Sequence, residues 1–218
     1  MNKASVLARI REVGILPAFR LPSADDALFA VQAVAESGIG VAEVTMTIPG
    51  ALEVLHTLRG KLPDLVLGAG TVLNVETAKK CLDAGAMFLT SPGLDAHVVE
   101  FAVERNVAVL PGALTPSEVM AARKVGSDFV KIYPCSQLGG ASYIKSLRAP
   151  FPDVQLIAAG GVNHLNATEF LLAGAVAIGV GRELISPEAV RRRQVDWIRE
   201  LSHRFLQIIK DTRLRLNG

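Results

Sequence analysis

The sequence DFVKIYP, residues 128–134, is one of several short apolar runs whose spacing predicts the fold of this chain. The ends of successive runs lie 21 to 26 residues apart. Such an interval holds one strand, one loop, one helix and a second loop. Eight runs follow this pattern: ILPAFR (15–20), VAEVTM (41–46), LVLGAG (65–70), MFLTSP (87–92), VAVLPGA (107–113), DFVKIYP (128–134), VQLIAAG (154–160) and AVAIGVG (175–181).

Eight repeating units predict an α/β fold of the (β/α)8 TIM-barrel type, because eight parallel strands with their helices close on themselves. An open doubly wound sheet more often uses about five or six strands. Half of the residues are hydrophobic and only 5% are aromatic, which is the aliphatic mixture that buried parallel strands favour. The chain has no linker or low-complexity segment, so residues 1–218 are expected to form one domain.

The stretches between the runs carry helical signals. Ser23 and Asn74 stand where an N-cap is expected, and Pro116 suits the first turn of a helix. Helical patterns also precede the first run, at 3–13, and follow the last one, at about 187–213. We therefore expect extra helices at both ends of the barrel.

Charge and cysteine content restrict the partners and the compartment. The formal net charge is +2 with both signs mixed along the chain, which gives no reason to expect nucleic acid or an anionic membrane as partner. Cys81 and Cys135 form no disulfide framework, and neither a signal-peptide pattern nor an apolar run of about 18 residues appears. We therefore expect a cytoplasmic protein.

Polar residues that interrupt or end the apolar runs are candidates for chemistry, because barrel enzymes carry catalytic groups at the C-terminal ends of strands. Lys131 stands out, since it alone of the eight lysines lies inside an apolar run. Burial disfavours an ammonium ion, and the neutral amine is the nucleophile that forms a Schiff base with a carbonyl. The alternative is a lysine held in a buried ion pair or reaching to the rim. The residues of this kind are Arg20, Glu43, Thr45, Thr71, Thr90, Ser91, Lys131 and Tyr133.

Glu43 is a carboxylate within the second run, four strands before the lysine run. In a ring of eight strands, two strands four positions apart face each other, so both side chains can reach one cavity. Glu43 is therefore a candidate for proton transfer to and from a substrate. The alternative is a silent salt bridge that keeps Lys131 charged.

Anion-binding signals stand at the ends of the first, seventh and eighth runs. The segments Gly160-Gly161 and Gly179-Val180-Gly181-Arg182 each end a run before a helix, where backbone N–H groups often bind phosphate. Arg20 ends the first run, where its guanidinium is expected to hold a carboxylate in a bidentate pair. The alternatives are glycines that serve only tight turns and an Arg20 engaged in a surface salt bridge.

No metal or organic cofactor is expected. The four histidines are scattered and show no metal-ligand spacing, and a Schiff base is its own electron sink. Cys135 follows the lysine run without a histidine pattern that would support a thiol nucleophile, so it is expected to be a small buried hydrophobe. Tyr133 is expected to form an aromatic wall beside the lysine.

Six short motifs also occur in order along the chain: EVT (43–45), GAGTVL (68–73), TSPG (90–93), LPG (110–112), TPSE (115–118) and FVKIYP (129–134). Together they resemble the motifs of the 2-keto-3-deoxy-6-phosphogluconate (KDPG) aldolase family, which also includes 4-hydroxy-2-oxoglutarate (KHG) aldolases. The resemblance extends from about residue 5 to about residue 185. Six ordered motifs on the expected strands are far more specific than any one of them.

The resemblance implies a class I aldolase barrel, a homotrimer, and reversible cleavage of a 2-oxo-4-hydroxy acid to pyruvate and an aldehyde. It implies that Lys131 forms the Schiff base and that Glu43 is the general acid/base. The remaining contacts that it implies are Thr71 and Pro92 with pyruvate, Tyr133 beside the lysine, and Gly160, Gly161 and Gly181 with phosphate.

Three positions depart from the pattern of better-known family members. An arginine that holds the pyruvate carboxylate is replaced by Thr47, and Arg20, which matches an arginine of other members, is expected to take over. Ala159 stands where a threonine often precedes the strand-seven glycines. Arg182 replaces a serine that contacts phosphate, and an arginine there either strengthens phosphate binding or fills the site.

Two other classes of function remain open from the residues alone. One is a phosphate-binding barrel that isomerises or epimerises a sugar phosphate, with Glu43 as base and Lys131 as an electrostatic helper. The other is a non-catalytic barrel that binds or assembles with a partner. A covalent imine with a 2-oxo acid separates the aldolase from both of these alternatives.

Overall fold

The strands of the barrel are β1 (Ile15–Phe19), β2 (Val41–Thr45), β3 (Val66–Gly70), β4 (Phe88–Thr90), β5 (Ala108–Leu110), β6 (Gly112–Ala113), β7 (Val130–Ile132), β8 (Leu156–Ala159) and β9 (Ala177–Val180). The computed structural model describes residues 1–217, and in it these strands follow the order β5-β4-β3-β2-β1-β9-β8-β7-β6. Neighbouring strands pair in parallel and form a nearly closed barrel. The parallel α/β barrel that the sequence predicts is confirmed.

The structure differs from the prediction in the fifth run, which forms two short strands instead of one. Strands β5 and β6 are the two ends of the sheet order, yet Pro111 alone separates them in the chain. Proline has no N–H to donate to a neighbouring strand, so regular pairing stops there. Its carbonyl still accepts a hydrogen bond of 2.9 Å from the backbone N–H of Lys131, which links the lysine strand to the break.

Helices alternate with the strands and cover the outside of the barrel. Ser23 and Asn74 cap helices through their side chains, as predicted, and Pro116 stands in a first turn behind the capping box of Thr115 and Glu118. None of the helices within residues 1–217 is long and apolar enough to cross a membrane. The helices are α1 (Lys3–Val13), α2 (Ala24–Glu36), α3 (Ala51–Lys61), α4 (Val75–Asp83), α5 (Ala96–Glu104), α6 (Pro116–Lys124), α7 (Gly140–Arg148), α8 (Ala167–Leu172), α9 (Pro187–Arg191) and α10 (Val195–Asn217), with a 3-10 turn at Ser136–Leu138.

Buried polar side chains are concentrated at one end of the barrel. Ser37, Ser202 and Thr212 lie in or at the ends of helices, and each hydroxyl donates to the carbonyl four residues earlier. The other buried polar residues lie within or directly after β2, β4 and β7: Glu43, Thr45, Thr90, Ser91 and Lys131. The rest of the barrel interior is mostly aliphatic and stabilises the fold through apolar burial. The buried polar groups of the barrel interior are at this one end.

Both cysteines should be inert toward thiol reagents in the native protein. Burial raises the pKa of the Cys81 thiol to about 12 and that of Cys135 to about 11. Below these values the thiols stay protonated, and the protonated form is a poor nucleophile. Titration with a disulfide reagent at pH 8 should label neither cysteine in the native state and both in guanidinium chloride. Rapid labelling of the native protein would contradict the burial seen here.

Candidate active site

A cavity of about 330 Å³ opens at the carboxyl ends of β1, β2, β7, β8 and β9. This is the end of the barrel that carries the buried polar residues. Eight of the ten site residues predicted from the sequence line it. They are Arg20, Glu43, Lys131, Tyr133, Gly160, Gly161, Gly181 and Arg182.

Lys131 and Glu43 meet across the interior of the barrel. The Lys131 Nζ lies 3.3 Å from each carboxylate oxygen of Glu43. Lys131 is 9% exposed and Glu43 is 2% exposed, so water screens the pair weakly. The predicted placement on facing strands is thus observed, and the cavity brings a potential nucleophile and a potential acid/base group to the same point.

Gly70 makes room for the Glu43 carboxylate. It ends β3 and pairs in register with Thr45 on β2. A Cβ atom at Gly70 would lie 2.6 Å from Glu43 Cγ and would overlap the carboxylate itself. Atoms cannot approach so closely, so only glycine at this position lets Glu43 lie against β3 and point at the lysine.

Thr90 is a third polar neighbour of the lysine amine. It ends β4, its side chain is 1% exposed, and its Oγ1 lies 3.3 Å from Lys131 Nζ. The sequence marked Thr90 as one of several polar residues at strand ends but gave it no role. Its contact with Lys131 depends on the side chains of separate strands meeting inside the barrel, which no spacing along the chain reveals.

The glycines after β8 allow close packing of two loops. Gly160 and Gly161 have φ values of 86° and 80°, which side chains other than glycine rarely adopt. Cβ atoms there would lie 2.8 Å from Pro134 Cα and 2.6 Å from Ser136 Cβ, respectively. Tight turns therefore require both glycines, and both also line the cavity, so the two interpretations of this motif are compatible.

Charged groups surround the opening of the cavity. Arg20 and Arg182 are exposed, and within residues 1–217 neither guanidinium has an ion-pair partner. Glu183, which the sequence reasoning missed, also lines the cavity and is exposed. The sequence feature that could have pointed to Glu183 is its position directly after Arg182. The opening thus offers two cations and one carboxylate to a ligand.

Thr71 and Pro92, also predicted from the sequence, do not line this cavity. Thr71 directly follows β3 with a φ of 58°, an uncommon conformation for threonine, and the next residue donates a backbone hydrogen bond to the Thr90 carbonyl. Pro92 is exposed, and its carbonyl packs against Gly112. Both lie on the β3–β4 side of the barrel mouth.

The described residues offer little to a metal ion. Within 1–217, no group of three or more histidine, cysteine, aspartate or glutamate side chains is arranged to hold one.

Comparisons with known proteins by sequence and by structure agree with each other. Residues 6–201 match a family model described as "KDPG and KHG aldolase". A 2-dehydro-3-deoxy-phosphogluconate aldolase of Pseudomonas aeruginosa is 34% identical over 187 residues, 86% of this chain and 84% of that protein. The KDPG aldolase of Legionella pneumophila, solved with pyruvate captured as a covalent carbinolamine, is 29% identical with a TM-score of 0.84, over 90% of this chain and 96% of that one. A designed cage made by fusing symmetric oligomeric domains is 25% identical with a TM-score of 0.87, over 94% of this chain and 75% of that one.

Proposed function

Because this chain belongs to the KDPG and KHG aldolase family, we propose that it cleaves a 2-oxo-4-hydroxy acid reversibly to pyruvate and an aldehyde. The substrate class is that of 2-dehydro-3-deoxy-6-phosphogluconate or 4-hydroxy-2-oxoglutarate, which release glyceraldehyde 3-phosphate or glyoxylate. The observation that carries the proposal is the buried Lys131 amine 3.3 Å from the Glu43 carboxylate, inside a cavity of small-molecule size.

The reaction begins at the Lys131 amine. Glu43 takes a proton from the ammonium, and the neutral amine attacks C2 of the 2-oxo acid. Glu43 returns that proton to the C2 oxygen, which leaves as water, and an iminium ion remains on Lys131. Its positive nitrogen then draws the electrons of the C3–C4 bond as that bond breaks.

Glu43 serves the second half of the reaction. Its carboxylate removes the proton of the C4 hydroxyl, the aldehyde leaves, and an enamine remains on Lys131. Protonation of the enamine at C3 and hydrolysis of the imine release pyruvate and restore the amine. The iminium provides the electron sink, so the mechanism uses no metal and no organic cofactor.

The other residues at the cavity are assigned to parts of the substrate by the chemistry of their side chains and backbone. Arg20 is proposed to hold the pyruvate carboxylate, because Thr47 stands where other members carry an arginine. Thr71 and Pro92 are proposed to contact the pyruvate end from the β3–β4 side, and Tyr133 to cover the imine. The N–H groups at Gly160, Gly161 and Gly181, with the Arg182 guanidinium, are proposed to bind a phosphate on the aldehyde half.

The proposal also covers the domain architecture, the oligomeric state and the cellular location. We regard residues 1–218 as one (β/α)8 domain in which β5 and β6 count as a single divided strand, with additional helices at both ends. We propose a homotrimer in the cytoplasm, and the likeness to a cage built from oligomeric domains supports self-association. Sedimentation equilibrium is the test, and a monomer at micromolar concentration would contradict it.

Borohydride trapping tests the proposed function. The protein is incubated with pyruvate, reduced, and digested for peptide mass spectrometry. We expect a reduced pyruvyl adduct on Lys131 and none on Lys145, a helical lysine away from the cavity. A coupled assay with each candidate substrate then identifies the aldehyde half. Absence of an adduct from folded protein at neutral and mildly alkaline pH would favour an isomerase or a non-catalytic barrel.

Replacement of Gly70 by alanine should lower turnover although it leaves every charged group in place. The new Cβ would displace the Glu43 carboxylate from its position against β3. We expect kcat to fall about tenfold or more, since small misplacements of catalytic groups are costly. Gly60→Ala in α3 is the matched control, because nothing lies within 4 Å of that Cβ and alanine favours helix. Equal activity of the two variants would contradict the role of Gly70.

Arg182→Ala should separate phosphorylated from unphosphorylated substrates. A charge-assisted hydrogen bond to phosphate is worth about 1.5–3 kcal/mol, so KM for the phosphorylated substrate should rise about tenfold to a hundredfold. The KM for 4-hydroxy-2-oxoglutarate, which has no phosphate, should change less than about threefold. Steady-state kinetics with both substrates checks this, and a parallel change in the two KM values would contradict phosphate binding by Arg182.

A further inference from the structure

The hydroxyl of Thr90 has one hydrogen-bond partner among the described residues, and that partner is the reacting amine. Its Oγ1 lies 3.3 Å from Lys131 Nζ, on the end of a strand whose other residues, Phe88 and Leu89, are fully buried and apolar. Valine has nearly the same shape as threonine without a polar group to bury. A hydroxyl here is therefore explained by the amine and not by packing.

The amine has three neighbouring oxygens in the resting site, two from Glu43 and one from Thr90. An ammonium ion has three N–H groups, so each oxygen can accept one of them. When the ammonium and the substrate carbonyl form an iminium ion, two of these hydrogens leave with the C2 oxygen as water. One N–H remains on the nitrogen, and it needs one acceptor.

The choice of that acceptor decides what Glu43 can do next. If the iminium N–H stays on Glu43, the carboxylate is tied up in an ion pair and becomes a weaker base toward the C4 hydroxyl. If the N–H turns to Thr90, both carboxylate oxygens are available to the substrate. A neutral hydroxyl also leaves the positive charge of the iminium uncompensated, so the iminium remains an effective electron sink.

We propose that Thr90 is a further catalytic residue of this site, whose hydroxyl accepts the iminium N–H and thereby releases Glu43 for proton transfer at the substrate. This role rests on the proposed Schiff-base function. It assigns imine formation to Lys131 and Glu43, and it makes only the later steps depend on Thr90.

Comparison of Thr90→Val with Thr90→Ser tests the proposal, because valine removes the hydroxyl at nearly constant shape and serine restores it. Three quantities are measured: the fraction of protein trapped by borohydride at saturating pyruvate, the rate of deuterium exchange into the pyruvate methyl group, and kcat. We expect Thr90→Val to keep the trapped fraction within about twofold and to lower exchange and kcat tenfold or more. Thr90→Ser should recover both rates to within about threefold of the parent.

Other outcomes would overturn the role. Parent-like exchange and kcat in Thr90→Val would remove the hydroxyl from catalysis. Equal impairment in the valine and serine variants would point to packing, and a trapped fraction that falls in step with exchange would place the defect in imine formation. Thermal unfolding shows that each variant is folded, and Thr90→Ala replaces the valine variant if that one fails to fold. Absence of an adduct in the parent protein would overturn the proposed function itself.

Discussion

Lys131→Arg should lower turnover by about 10⁴-fold or more and abolish the borohydride adduct with pyruvate. Arginine retains a positive charge opposite the buried Glu43, but its guanidinium does not lose a proton in proteins and so provides no nucleophilic amine. The variant therefore separates charge from nucleophilicity. Coupled assays at high enzyme concentration set the detection limit, and thermal unfolding reports whether the fold is retained.

Lys131→Met provides the companion measurement for stability. It removes the cation and leaves the Glu43 carboxylate, 2% exposed, without its partner. Breaking a buried ion pair in this way typically costs about 3–5 kcal/mol of unfolding free energy. We expect the methionine variant to be both inactive and clearly less stable than the arginine variant. Residual activity above about one per cent of the parent in either variant would rule out Lys131 as the Schiff-base residue.

Glu43→Gln should lower turnover by about 10²- to 10⁴-fold while the imine with pyruvate remains trappable. The amide keeps the shape of the carboxylate but cannot accept the C4 hydroxyl proton. Loss of the carboxylate also removes the charge that stabilises the Lys131 ammonium, so imine formation continues. The measurements are kcat for cleavage and mass spectrometry of the reduced adduct.

Glu53→Gln is the matched control for this variant, since Glu53 is an exposed carboxylate in the first turn of α3. It should retain parent turnover within about twofold. Turnover of Glu43→Gln within threefold of the parent would show that another group moves the substrate protons. A variant that forms no adduct at all would show that activation of the amine in the first step depends entirely on Glu43.

Both members of the proposed catalytic pair were predictable because each is a charged residue within an apolar strand. A lysine or a glutamate inside an apolar strand is rarely buried without a partner or a function, so Lys131 and Glu43 stood out against their neighbours. The spacing of the runs then placed their strands opposite each other. The same logic gives Thr90 no role, since threonine is an ordinary strand residue and is one of several at strand ends until its neighbour is known.

Other features depended on strand register and packing, which the sequence does not state. The fit of Gly70 against Glu43, two residues 27 positions apart, depends on the register in which β2 pairs with β3. The break at Pro111 was foreseeable from proline chemistry, but the apolar character of the fifth run favoured one continuous strand. Glu183 lines the cavity because of the course of the chain after β9, and the motif there, which ends at Arg182, directed attention to a cation and not to the carboxylate that follows it.

The proposed catalytic pair and the rim of the cavity belong to different parts of the architecture. Lys131 and Glu43 are carried by buried strands, whereas Arg182 and Glu183 stand on an exposed connection after the last strand. Loops tolerate substitution far better than a packed barrel does. If Arg182 binds the aldehyde half as proposed, evolution or a library designed in the laboratory can exchange the accepted aldehyde through residues 182–183 without disturbing the Lys131–Glu43 pair.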